Sequence, residues 1–372
     1  MQPCHIQPCH IQPCHIQPCH LQPWQIGLAE APPDDASALH ALGLGFMAAR
    51  TLHVALEFDL FTRLANAPGA LTQVAQALGL AERAAQRLLH ACAALGLVRL
   101  TEGTYHNVPL TDKYLVRGRP TYIGSYVQLF DTLGYHRWGQ MSQALRHNAP
   151  VEALDHPYRY LDDDADDTRD FLSAQHDGST SLGYALARRF DFSPFQCLLD
   201  LGGGAGTYTV EILRRHPHMR AILVDFPHVC RIAAHTLQDA GLADRVHTVA
   251  GDYERDSLAA LAGPAEPDVV LWSGNLHASS PDRCRHILHQ LRTLLPAHGA
   301  VLIHDYLLDD AGTGPLIPAL LALHLTLVSE QGQVYGSAEL RELLIQAGFA
   351  EVQIESFLPG HSGLVIAHMS SP

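Results

Sequence analysis

The stretch QCLLDLGGGAG (196–206), running directly into TYTVEILRRH (207–216), constrains this chain more than any other. A short apolar run that breaks into glycines and continues as a helical pattern reads as a buried strand, a sharp loop and a helix. Downstream, apolar runs keep alternating with helical patterns: AILVDF, VHTVA, DVVLWS, AVLIHD, EVQIESF and GLVIAHM. Such alternation predicts a doubly wound α/β domain over 191–372. The last two runs lack a crossover helix between them, so they should pair antiparallel at the sheet edge.

Glycines at Gly202 and Gly204 let a ligand approach the first strand and the helix behind it, next to Asp200. A nucleotide cofactor is implied. The dinucleotide spacing would need glycine at position 207, where the chain has Thr207, so the loop is not that of a usual NAD enzyme. Asp225 ends the second strand, where a carboxylate takes both hydroxyls of a ribose. Asp252 and Tyr253 follow the third, where an acid accepts from an adenine amino group and a ring covers its face. Together these positions describe an adenosine site.

With 372 residues, 47% hydrophobic and 17% charged, the chain is long enough for two packed domains. Residues 1–22 repeat QPCHI, and its Cys and His side chains are conceivable Zn²⁺ or Cu⁺ ligands. Proline at every fifth position forbids a packed helix, so the repeat reads as a disordered tail, and no metal site is expected. A linker follows over 23–37. Residues 38–120 read as a helix to about Ala65, a short helix Leu71–Leu78, a turn at Gly79, a second helix Ala81–Leu95 and a hairpin around Glu102 and Gly103. That is the order of a winged helix. Its second helix, AERAAQRLLHACAALG, is too rich in Ala and Leu for a DNA reader and should pack against protein. Residues 121–190 form an aromatic-rich helical connector, interrupted by LDDDADD, that either lines a pocket for a flat ligand or is plain core.

The net charge of −14 opposes a nucleic-acid partner. No apolar stretch reaches the roughly 20 residues of a membrane span, and no basic segment precedes an apolar run as in a secretory signal. A cytoplasmic location is expected. Cys92, Cys197, Cys230 and Cys284 are scattered through apolar segments and should be reduced, buried thiols rather than a disulfide framework.

LLDLGGGAG, ILVDFPHV, VAGDYERD, VVLWSGNLHASSPDRC and LRELLIQAGF, in this order, resemble the class I small-molecule O-methyltransferases, the family of plant caffeic acid and bacterial polyketide and phenazine enzymes. The resemblance covers Gly45 to Met369. It implies a Rossmann-like methyltransferase sheet behind a winged-helix dimerisation domain, a homodimer, and S-adenosylmethionine as cofactor. The cofactor would be held by Gly202, Asp225, Phe226, Asp252 and Tyr253, with Ser179 near its amino acid end and Asp200, Gly204 and Ser273 completing the set. His277 matches the family's general base. The family's two flanking acids correspond to Asp305 and, without an acid, Val334; Ala278 and Ser279 replace the Asp-Trp that follows the base. Phe130, Trp138, Gln175 and His324 are the expected acceptor contacts. A phenol with pKa near 10 is a poor nucleophile at neutral pH, and a neutral imidazole with a reference pKa of about 6.5 is suited to take its proton. Transfer to N, S or C, a non-methylating use of the cofactor, and a winged-helix ligand sensor are the competing readings.

Overall fold

The computed structural model describes residues 35–151 and 166–369. The repeat tail, nearly all of the linker and most of LDDDADD lie outside the described residues.

The N-terminal elements follow the winged-helix order with one change. The long helix expected to about Ala65 is three pieces: α1 (Ser37–Gly43), α2 (Gly45–Glu57) and α3 (Leu60–Asn66). The first break is a 44° bend between α1 and α2. The second falls at Asp59, whose left-handed φ of 54° cannot continue a helix. Helix α4 (Leu71–Leu78) ends at Gly79 in the left-handed conformation, α5 (Glu82–Ala94) follows, and β1 (Val98–Thr101) and β2 (Thr104–Asn107) form the antiparallel wing. Leu89 and Cys92 of α5 face the same core as Leu56, Leu60, Phe61 and Val74.

Helices α6 (Pro109–Tyr114), α7 (Gly124–Phe130), α8 (His136–Trp138) and α9 (Met141–His147) lead to the long α10 (Asp166–Arg189). A single π-helical turn, Asp131–Tyr135, separates α7 from α8. Its Asp131 is bound by Arg50 and, at 3.2 Å, by His53 Nδ1, tying this connector to α2.

The seven-stranded sheet contains β3 (Cys197–Leu201), β4 (Arg220–Asp225), β5 (Val246–Ala250), β6 (Val269–Ser273), β7 (Ala300–Asp305), β8 (Phe349–Leu358) and β9 (Ser362–Met369), in the order β5-β4-β3-β6-β7-β9-β8. The first five are parallel; β9 is antiparallel to both β7 and β8, as expected from the missing crossover. Val269 to Trp272 and Ala300 to Ile303 are fully buried, because helices cover both faces. One face carries α13 (Leu258–Ala262), α14 (Pro281–Leu294) and α16 (Ser337–Gln346). The other carries α10, α11 (Thr207–Arg215) and α12 (Pro227–Asp239). Burying each Leu or Val stabilises the domain by about 1.5–3 kcal/mol, so this sheet is the rigid base of the molecule. The remaining helix, α15 (Leu316–Val328), follows β7 and packs on α8 and α9. No single described helix is long and apolar enough to cross a membrane.

Strand order reverses between β3 and β6, one running on to β4 and β5, the other to β7. In such sheets the crevice beyond the carboxyl ends at the reversal point is where ligands bind.

Candidate active site

The glycine loop is built on that reversal point. Gly202, Gly204 and Gly206 have φ of 66°, 55° and 80°, which side-chain-bearing residues rarely adopt. A Cβ on Gly202 would lie 2.4 Å from Asn275 Nδ2 and 3.2 Å from Tyr253, whereas Gly204 faces open space. The loop is therefore closed toward β6 and open toward the crevice. Asn275 was not anticipated from the sequence. Its amide donates to the Gly202 carbonyl at 2.9 Å and to the Ser273 carbonyl at 3.0 Å, locking the ends of β3 and β6 together. The only hint was its place just past a strand end, in Ser-Gly-Asn-Leu-His.

Asp225 stands beside the loop. Its carboxylate accepts from Gly204 N at 2.8 Å and Phe226 N at 2.7 Å, which orients both oxygens and leaves lone pairs for a ligand. Burial pushes this carboxyl up to about 6, against the two backbone hydrogen bonds. Asp200 is brought to the same strand end, but its side chain turns inward and accepts from Thr209 at 2.6 Å. Burial pushes it up to about 7. Asp252 caps its own turn, accepting from Glu254 N at 3.1 Å, and Tyr253 is buried edge-on to Trp272. Ser273 likewise turns inward, its hydroxyl 3.1 Å from His304 Nδ1. His304 also meets Tyr208 and Ser362, and burial lowers its pKa to about 4. This neutral histidine ties α11, β6, β7 and β9 behind the site, and nothing in the sequence distinguishes it among 25 histidines.

Next along the edge is His277, in a 3₁₀ turn just past β6 (Leu276–Ala278), and buried. Its Nδ1 is 2.8 Å from Asp305 Oδ1 at the end of β7, and its backbone N lies 3.4 Å from Asp305 Oδ2. Asp305 is 1% exposed and also accepts from Tyr306 N at 2.7 Å. The shorter acid thus reaches the imidazole without the extra methylene of Glu. Val334 is buried among Leu325, Leu327 and Val328, so no second acid supports the ring from there. Instead, the neighbouring Gln333 N donates to the His277 carbonyl at 2.8 Å.

The turn after His277 is held from below by a buried group that the sequence reading also missed. Glu254 accepts from the Ser279 hydroxyl and, at 2.8 Å, from Arg283. Ser280 caps α14 by accepting from Arg283 N, so the Ala278-Ser279 departure has its own anchor.

The expected acceptor residues, and Ser179, expected at the amino acid end of the cofactor, gather more loosely. Ser179 and Gln175 are half-buried on α10, which is drawn close to α11 by His176 Nδ1 at 2.8 Å from the Thr207 hydroxyl. Tyr126 of α7 packs on Gly178, and its hydroxyl lies 3.0 Å from that of Tyr306. Tyr306 in turn presents its ring edge-on to His277 at 5.7 Å. Phe130 meets Tyr126 edge-on at 5.1 Å but is 54% exposed. Trp138 stacks on His324 at 6.3 Å. Cys92, Cys230 and Cys284 are buried free thiols and Cys197 a half-buried one; burial pushes all four up, to about 11 or 12.

Comparison with known proteins matches this geometry to one family. The O-methyltransferase domain model matches residues 138–350, and the O-methyltransferase dimerisation domain model matches 41–117. The 3-hydroxy-5-methyl-1-naphthoate 3-O-methyltransferase of Streptomyces sahachiroi is 36% identical over 325 residues, covering 87% of this chain and 92% of that one. The tetracenomycin polyketide synthesis 8-O-methyl transferase of Streptomyces glaucescens is 31% identical, covering 84% and 91%. Human N-acetylserotonin methyltransferase, solved in complex with S-adenosylmethionine, superposes with a TM-score of 0.79 at 25% identity, covering 92% of this chain and 99% of that one. The glycine loop at the sheet's reversal point, the dyad past β6 and the N-terminal winged helix are thus parts of one assembly: the chain belongs to the S-adenosylmethionine-dependent O-methyltransferases that carry a dimerisation domain.

Proposed function

We propose that the enzyme methylates a phenolic hydroxyl of a small aromatic or polyketide-like metabolite, with His277 as general base. The observation that carries this reading is the buried His277 and Asp305 pair, 2.8 Å apart, at the sheet edge that also bears the glycine loop. The Asp305 carboxylate accepts the Nδ1 proton and leaves the Nε2 lone pair as the base. A second hydrogen bond, from Tyr306 N, holds that carboxylate in place. Proton transfer by a positioned side chain is worth about 10²–10⁴ in rate.

The residues of the donor site fit the cofactor. Open space at Gly204, the two N–H bonds orienting Asp225, and the Phe226 and Tyr253 rings describe a cradle for an adenosine. Asp225 would accept from the ribose, Asp252 from the adenine amino group, and Ser179 would lie toward the amino acid end. Bound there, S-adenosylmethionine supplies an electrophilic methyl group on a positively charged sulfur. Gln175, Phe130 and Trp138 would then enclose the acceptor and exclude water, and much of the remaining acceleration would come from holding the reactants in line.

The protein units are read as a dimerisation domain over 38–120, a connector over 121–190 and a catalytic domain over 191–372, acting as a cytoplasmic homodimer. The two related Streptomyces enzymes, named for a hydroxynaphthoate and for a tetracenomycin polyketide, support the acceptor class. Leu39 and Leu42 of α1, Leu44 at the bend, and Phe46 and Met47 of α2 are each more than half exposed, an apolar face of the kind a second copy would cover. Incubating the enzyme and methyl-labelled donor with a panel of hydroxylated naphthalenes, anthraquinones and amines tests the reading. Label on a phenolic oxygen is expected; label only on nitrogen or carbon would reject it.

A further inference from the structure

The acceptor side holds a second histidine whose proton position is set by its neighbour. His324 Nδ1 lies 3.1 Å from Trp138 Nε1, and the two rings are 15° from parallel. An indole N–H only donates, so Nδ1 accepts, and a neutral His324 must carry its proton on Nε2. Burial, with the Arg137 guanidinium and then His277 nearby, lowers the His324 pKa, which keeps the ring neutral. Its outer edge is thus a fixed N–H donor.

The fold places that donor on the same side as the turn that carries His277. His324 lies three residues after Leu321 and four before Val328, on the α15 face that packs with Tyr306, the ring against His277. The loop after α15 is fastened to the turn carrying the base through Gln333 N and the His277 carbonyl. Two imidazoles of opposite character therefore lie on the acceptor side: His277 is the proposed base, and His324 carries an N–H on Nε2.

Resting on the reading of this site as a phenol pocket, we propose that His324 Nε2 donates to a second oxygen of the acceptor, so that the enzyme selects phenols bearing a carbonyl ortho or peri to the reacting hydroxyl. In such a phenol the hydroxyl is tied to its own carbonyl by an internal hydrogen bond, which opposes removal of its proton. A donor on the carbonyl weakens that bond and frees the hydroxyl to face His277. An acceptor lacking the carbonyl leaves the His324 N–H without a partner in a desolvated site, the situation that enzymes discriminate most strongly. Trp138 is the positioning residue, since it holds the tautomer.

Equilibrium binding of 1-hydroxyanthraquinone and of 1-anthrol to the full-length protein loaded with S-adenosylhomocysteine tests this. The quinone should bind about three- to tenfold more tightly than the anthrol, the range of one net hydrogen bond. His324→Leu should bring the ratio close to one, and His324→Gln, which restores an N–H, should recover part of it. Trp138→Phe keeps a stacked ring but releases the tautomer and should also lower the ratio. Being partly exposed, it carries the test if His324→Leu does not fold. A merely structural role would weaken both ligands alike. An unchanged ratio in these variants overturns the proposal, as does a wild-type protein that binds the two equally or binds neither. Turnover separates the two readings: a His324-dependent ratio without methyl transfer to either phenol rejects the His277 reading alone, and transfer with an insensitive ratio rejects the role of His324 alone.

Discussion

The proposed donor side and the proposed acceptor side of this site are built from different materials. The donor side consists of tight turns at the ends of parallel strands, stitched by backbone hydrogen bonds to Asp225 and by the Asn275 amide. The acceptor side consists of helices, one of them interrupted by a π-helical turn, with rings such as Phe130 and Trp138 still 54% and 37% exposed. A sheet edge has one geometry that its hydrogen-bond ladder enforces, whereas helices packed through side chains leave room for variation. The same enzyme family can thus keep one cofactor and change its acceptor, since function resides in sites set on a common frame. His277 stands at the seam, fixed by the sheet through Asp305 and facing the helices through Tyr306.

If the division holds, substitutions should affect one partner and spare the other. His277→Ala should lower kcat by about 10² or more while donor affinity stays near wild type, because the base meets the acceptor alone. Single-turnover kinetics and calorimetry with S-adenosylhomocysteine would check both halves; near-normal turnover would remove His277 as the base. Asp225→Ala should weaken donor and product alike by roughly 10- to 150-fold, the cost of a charge-assisted hydrogen-bond acceptor of about 1.5–3 kcal/mol. The acceptor KM at saturating donor should hardly move.

The same carboxylate predicts a pH effect. Burial raises the Asp225 pKa to about 6, so protonation begins at higher pH than for an ordinary carboxyl. Only the carboxylate accepts from both ribose hydroxyls while holding Gly204 N and Phe226 N. Donor affinity should therefore be fully present well above pH 6 and fall as pH drops through that value, and Asp225→Asn should flatten the profile at a lower plateau. Titration calorimetry between pH 5 and pH 8 reads it directly. A wild-type affinity independent of pH over that window would show that Asp225 is not the ribose acceptor.

What the sequence made legible follows the same division. The strand runs, the glycine loop, Asp225 and the antiparallel edge pair were readable because a parallel sheet demands near-continuous apolar segments and its turns demand glycine at positive φ. Gly79 ended α4 as expected, by the same rule. The Asp59 break was not readable, because a left-handed Asp leaves no pattern in a run whose apolar spacing continues through it. Asn275, Glu254 and His304 were missed for another reason. Their importance lies in partners distant in sequence, 73 residues away for Asn275 and Gly202, and no local periodicity reports such a contact. On the acceptor side, spacing alone could not tell rings that line a pocket from rings that fill a core. The structure separates them by exposure, placing Phe130 and Trp138 outside the core and Phe171 within it.

Phe130 gives the smallest and most discriminating test of the division. Its ring touches Tyr126 edge-on at 5.1 Å and otherwise faces solvent, so Phe130→Ala should change stability by no more than about 0.5 kcal/mol, as for other exposed positions. The ring's work would begin only when a flat acceptor fills the space beside it and removes both surfaces from water. An aromatic contact of about 0.5–1.5 kcal/mol then corresponds to a two- to tenfold loss in kcat/KM for the acceptor, with kcat at saturation close to wild type. Thermal melting, acceptor kinetics and donor calorimetry on one preparation suffice. A lower melting temperature would return Phe130 to the core. A shift in donor affinity would carry more weight, because Phe130 connects to the glycine loop through Tyr126, Gly178 and α10 packed on α11. The two sides would then be coupled through that stack, and acceptor binding would close the donor site as well as fill its own.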